Sequence, residues 1–106
     1  MARFNFVVYS NPVEGREGEY NDWYSNRHLG DLLAIPGVLA ARRYKLAPTQ
    51  VSGTPPQPYQ YLAIYEIEAD NVQAFLDVMM QRVAGGAIPV TTAMSADVFP
   101  VFWEAL

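Results

Sequence analysis

Apolar and aromatic positions along the chain fall into six blocks, separated by runs rich in Gly, Pro, Asn and Ser. Arg3 to Tyr9 (Arg-Phe-Asn-Phe-Val-Val-Tyr) has the β-branched and aromatic content of a strand. Ser10-Asn11-Pro12 ends it, and residues 13–18 read as a loop. A helix is predicted from about Glu19 to Ile35, acidic in its first turns as the helix dipole favours and stopped by Pro36-Gly37. Val38 to Leu46 is a second strand. Residues 47–58, rich in Pro, Ser, Thr and Gln, carry no apolar period and are expected to form a mobile connection. Tyr59 to Ile67 is a third strand. A second helix starts at Ala69 or Asp70, with Asp70 or Asn71 as N-cap. It runs to Ala84, with Val72, Phe75, Leu76, Met79, Met80 and Val83 at the three-four spacing of a one-sided helix. Gly85-Gly86 stops it, and a last strand covers about Asp97 to Glu104.

The order β-α-β-β-α-β defines an α+β, ferredoxin-like domain, with two helices on one face of a four-stranded antiparallel sheet. The 106 residues make one such domain, residues 1–106, with no room for a second core. In such a sheet the face away from the helices is expected to be polar. Here both faces alternate apolar. In the third strand Tyr59, Tyr61, Ala63, Tyr65 and Ile67 fall on one side, Leu62 and Ile64 on the other. Phe4, Phe6 and Val8 oppose Val7 and Tyr9 in the first strand, and Phe99, Val101 and Trp103 oppose Val98 and Phe102 in the last. A second copy of the sheet is the natural cover for the free face, so a homodimer is expected.

Composition narrows the function. The net charge of −4 and seven scattered Lys and Arg argue against nucleic acid as a partner. Only Arg42-Arg43-Tyr44-Lys45 is locally basic, and strand alternation splits those side chains between two faces. There is no cysteine, hence no disulfide or thiol chemistry. No long apolar span or leader-like segment is present, so no membrane partner and a cytoplasmic location are expected. A metal site would need more imidazole or thiolate ligands than the chain has, and no cofactor motif appears.

One histidine remains, His28, and it carries the candidate chemistry. On a regular helix at ~100° per residue, Asn21, Tyr24, Leu32 and Ile35 lie within roughly 40° of it. Desolvation or a phenol neighbour would tune it near neutral pH. Tyr24 or a third-strand tyrosine is placed to hold a substrate oxygen, and Asn21, Trp23, Tyr9, Tyr61, Tyr65 and Leu32 are candidate substrate-binding residues. The third-strand tyrosines either line a helix-side pocket or fill a dimer core, and for Trp23 alone ordinary packing is favoured. Asp22 lies on the far side of the helix, so a carboxylate partner must come from elsewhere, Glu66 being one option. Arg27 and Asp31, at i and i+4, read as a surface ion pair. The plain alternative for His28 is a core-boundary histidine bonded to backbone.

The run Tyr20-Asn-Asp-Trp-Tyr, then His28-Leu29, then Ile35-Pro-Gly-Val38 and a strand with Arg42-Arg43-Tyr44, resembles the dimeric α/β-barrel superfamily, most closely its EthD-like members. The resemblance spans nearly the whole chain. It implies a dimer whose two sheets form a barrel, with a pocket between each sheet and its own helices. Gly30 stands where such relatives often have proline. The superfamily holds cyclases, isomerases, dehydratases, small lyases and cofactor-free monooxygenases, besides haem enzymes. The expected function is a cofactor-independent lyase or isomerase acting on a small apolar aromatic or lactone-like metabolite, with His28 as general acid or base. The alternative is a non-catalytic hydrophobic small-molecule-binding or stress-associated protein.

Overall fold

The computed structural model describes residues 1–106. Strands β1 (Ala2–Ser10), β2 (Val38–Lys45), β3 (Tyr61–Ala69) and β4 (Phe99–Glu104) form one sheet in the order β2-β3-β1-β4. Every neighbouring pair is antiparallel. The first helical segment has three parts: α1 (Glu17–Trp23), a π-helical turn at Tyr24–His28, and α2 (Leu29–Leu33). The second is α3 (Val72–Ala84), whose N-cap Asn71 accepts a bond from the Ala74 N–H at 2.8 Å. This is the ferredoxin-like arrangement expected from the pattern, with strand and helix ends moved by one or two residues.

Register fixes which side chains meet the helices. Phe6 pairs with Tyr65 and Phe102, Phe4 with Ile67, and Ser10 with Tyr61. These residues face the helices; Phe6, Tyr61, Tyr65, Ile67 and Phe102 join Tyr20, Tyr24, Leu32, Ile35 and Phe75 in the core, and Ser10 bonds the Tyr20 hydroxyl. Phe6 and Phe102 stack with centroids 4.2 Å apart. Met80, counted with the apolar face of α3 by its spacing, instead points outward and is exposed. The opposite face carries Val7, Tyr9, Leu62, Ile64, Val101 and Trp103, so the sheet is apolar on both sides.

Tyr59 departs from the alternation expected of it. It lies ahead of β3, and its ring packs on Tyr9 and Phe99, both on the open face. A side chain outside the strand no longer obeys the two-residue period. Residues 47–58 are exposed throughout.

The turn into β2 depends on one glycine. Gly37 has φ +95, and its carbonyl accepts the Glu68 N–H at 2.8 Å. A Cβ there would stand 2.5 Å from the Glu68 carbonyl oxygen. Gly37→Ala therefore meets both an unfavourable φ and a backbone clash. A loss of at least about 1–3 kcal/mol is expected in urea unfolding, whereas Gly30→Ala, with open space around it, should be stabilising or neutral.

Candidate active site

Tyr20, Tyr24, Leu32 and Ile35 are all buried to 2% exposure or less. On an uninterrupted α-helix Tyr20 and Leu32 would be about 120° apart, and one of them would face water. The π turn removes the conflict. The Leu29 N–H bonds the Tyr24 carbonyl, five residues back, and the turn absorbs one residue. Tyr20 and Leu32 then fall within about 20° of each other.

The same turn changes the surroundings of His28. Trp23 precedes it by five residues, which a regular helix would set about 140° away. Instead the two rings stack at 4.3 Å with 22° between their planes. The Trp23 indole N–H also donates to the Pro89 carbonyl at 3.2 Å. On its other side His28 meets the Tyr24 ring edge-on at 5.2 Å and the Tyr65 ring at 6.5 Å. Sequence reasoning, which assumed one helical period throughout, missed this stack.

Four hydroxyl-bearing side chains converge beneath the helix. Ser10, Tyr20 and Tyr65 are fully buried and Tyr24 nearly so. Ser10 Oγ and Tyr20 Oη share a bond of 2.6 Å. Two buried polar atoms have no partner in good hydrogen-bond geometry: His28 Nδ1, and Tyr65 Oη, which has the Tyr24 phenol beside it. Leaving such groups unpaired costs about 1–3 kcal/mol each, and a catalytic or ligand-binding role is one of the explanations for buried groups of this kind.

Burial sets the protonation states. It pulls His28 down to about 4, partly offset by the nearby Asp31 carboxylate. The imidazole is thus neutral at pH 7 and not poised near neutrality as its sequence context suggested; the drier environment outweighs the single carboxylate. Burial, with its neighbouring phenol Tyr20, pushes Tyr24 up to about 12. Burial, with Tyr24 beside it, also raises Tyr65. Both phenols are therefore hydrogen-bond donors, and His28 is a neutral acceptor or donor.

The other expected residues separate into two groups. Tyr61 and Tyr65 face the helices, and so resolve the choice left open by sequence. Asn21 is turned toward β2: its Nδ2 donates to Tyr61 Oη at 3.4 Å, and its Oδ1 accepts from Arg43 at 2.9 Å. Leu32 lies in the core with Tyr24. Tyr9 is on the opposite face of the sheet, beside Tyr59 and Phe99, and does not join His28. Glu66 is on that far face too, paired with Arg42 at 3.3 Å. It is no partner for His28, because its register position sends it away from the helices. Arg27 and Asp31 form the expected ion pair at 2.9 Å.

Arg43 was not singled out by sequence. It lies on the helix-facing side of β2 with Ala41 and Lys45, and its guanidinium sits 4.5 Å from the Tyr24 ring centre. The available signal was a basic residue on a strand face that should be wholly apolar.

No group of His, Cys, Asp or Glu is arranged to hold a metal ion, and no helix is long and apolar enough to cross a membrane. The surface hollows lie elsewhere. One of about 220 Å3 is lined by Tyr9, Tyr44, Tyr59 and Leu62 at the foot of the 47–58 connection.

No protein-family model and no curated protein sequence matches the chain. Solved structures do match it over nearly full length. An EthD family protein from Bacillus halodurans C-125 is 14% identical, with all of both chains covered and a TM-score of 0.64. A dimeric ferredoxin-like protein of unknown function from Thermobifida fusca YX is 14% identical, with 98% and 92% of the two chains covered and a TM-score of 0.62. A candidate monooxygenase from Shewanella loihica PV-4 is 13% identical over 99% and 95%, with a TM-score of 0.62. The chain is thus similar to EthD-like and dimeric ferredoxin-like proteins in fold, as its sequence resemblance implied.

Proposed function

We propose that the chain is a cofactor-independent enzyme of proton transfer, a lyase or isomerase acting on a small apolar aromatic or lactone-like compound. The observation that carries this reading is the pair of buried, unpartnered polar atoms, His28 Nδ1 and Tyr65 Oη, inside an aromatic cage. In this reading a substrate oxygen takes the bond that Tyr65 lacks, with Tyr24 beside it. His28 Nδ1 removes a proton from the adjacent carbon or hydroxyl. A histidine held near 4 is a weak base in the empty site, but the oxyanion formed beside it favours the imidazolium and raises its basicity as the proton moves. Such acid–base catalysis contributes about 10²–10⁴-fold. Entry requires the Trp23 indole to leave its stack on His28.

The test is proton–deuterium exchange at carbon in a panel of small cyclic ketones and lactones in D2O, read by NMR. Exchange by the wild-type chain and none by His28→Gln supports the reading. Binding of a panel member without exchange would favour the alternative, a hydrophobic small-molecule-binding or stress-associated protein.

The functional unit in this reading is a homodimer joined through the open sheet face. Leu62, Ile64 and Val101 there are only partly covered, and Phe99 and Trp103 are more than half exposed. Light scattering at micromolar concentration should give twice the chain mass, and Ile64→Lys should give a folded monomer, because it places a charge at the centre of an apolar contact. A monomeric wild-type chain would refute the arrangement.

A further inference from the structure

Four arginines in this chain are paired with carboxylates: Arg3 with Glu68, Arg16 with Glu19, Arg27 with Asp31 and Arg42 with Glu66. Arg43 is different. It is half-buried, faces the core side of the sheet, and bonds only neutral acceptors: Ser25 Oγ and Asn21 Oδ1, both at 2.9 Å. Its guanidinium lies over the rings of Tyr24, Tyr20 and Tyr61 at 4.5, 5.4 and 5.5 Å. A cation withdrawn from water usually has an anion beside it. The other charged groups at this end are both engaged with Tyr61: Glu17 accepts its hydroxyl at 2.6 Å, and Lys45 Nζ is 5.9 Å from its ring.

We propose that Arg43 is the electrostatic residue of the site. It selects weak oxygen acids, namely phenols and enolisable carbonyl compounds, and stabilises the oxyanion that forms when their proton leaves. The proposal rests on the reading of Tyr24, Tyr65 and His28 as the reaction site. The proton passes from the substrate O–H or C–H to His28 Nδ1, and the electron pair stays with the substrate, delocalised onto the oxygen held by the phenols. Arg43, on the sheet side of Tyr24, supplies the positive field through that ring layer. A low dielectric strengthens such a field, and a charge fixed in advance needs no reorganisation when the anion appears. Its bonds to Asn21 and Ser25 also tie β2 to the residues on either side of the start of the π turn. The same side chain thus sets the field and holds Tyr24 in place.

Para-nitrophenol tests this directly, since its phenol and phenolate forms absorb differently and no turnover is needed. Bound to the wild-type chain, it should ionise at a pH lower by about one unit or more, equivalent to at least tenfold tighter binding of the phenolate than of the phenol. Arg43→Gln should abolish that preference. Arg43→Lys, which keeps the charge and loses the paired bonds, should retain part of it. Circular dichroism establishes that each variant is folded. No preference for phenolate in the wild-type chain, equal preference in Arg43→Gln, or a Lys variant as poor as the Gln variant would overturn the proposal. A phenolate preference that depends on Arg43, together with no His28-dependent exchange in D2O, would leave this inference standing and remove the catalytic reading.

Discussion

Tyr65→Phe is expected to make the chain more stable. The Tyr65 hydroxyl is buried, and the Tyr24 phenol beside it does not meet it in good hydrogen-bond geometry. Its removal therefore lifts a desolvation cost of about 1–3 kcal/mol, less what that contact returns, and leaves the ring packing intact. For a domain of this size that corresponds to roughly 4–8 °C in Tm for each kcal/mol. The tilted contact of the Tyr65 ring with Phe6 at 5.8 Å and its edge contact with His28 at 6.5 Å do not use the hydroxyl and should persist. The same variant should lose the proposed activity, because the donor to the substrate oxygen is gone. A gain in stability with a loss of function is the signature of a polar group kept for chemistry. Calorimetry of the two chains gives the answer, and a variant that melts below the wild type would show that the hydroxyl has a stabilising partner.

The second large effect is an acid destabilisation centred on His28. In the unfolded chain this imidazole takes a proton near its ordinary 6.5, but in the folded chain only near 4. Between those values the unfolded state binds more protons, so stability rises with pH across that window and is lost as pH falls through it. Its contribution is complete above about pH 6.5. The full interval amounts to roughly 3 kcal/mol. Urea unfolding at about pH 7 and about pH 4.5 should therefore give a smaller difference for His28→Leu than for the wild type. Equal differences would mean that His28 is solvated in the folded chain.

Much of this fold is written in local pattern. The two-residue period of β1 and β3, the Asn71 cap and the Arg27–Asp31 spacing each depend on neighbours a few positions away, and each is found where expected. The apolar character of both sheet faces was legible for the same reason. What escaped depends on departures from a period or on contacts remote in sequence. The Trp23–His28 stack was missed because a π turn, invisible to a fixed helical angle, lies between them. Tyr59 was placed on the same side as Tyr61 and Tyr65 by counting in twos back beyond the start of the strand. Arg43 acquires its meaning only when β2 is registered against β3 and its guanidinium reaches residues 18 and 22 positions earlier. The protonation of His28 failed for a related reason: burial is a property of the whole packed assembly, and a helical wheel lists neighbours without stating how dry they are.

The π turn has a consequence for how this chain is compared with others. It counts as one extra residue inserted in a helix whose two halves keep the same inward face, so a homologue could lack that residue and still bury the counterparts of Tyr20, Tyr24, Leu32 and Ile35. Gaps in an alignment are then expected between Tyr24 and Leu32, inside a helix, where insertions are normally penalised. A motif that fixes the spacing from the first aromatic to the histidine will divide one lineage into two, with and without the turn. Among those relatives, the ones with the shorter spacing would hold the two rings at i and i+4 of a regular helix, about 40° apart, so the Trp23–His28 stack should survive the loss of the turn.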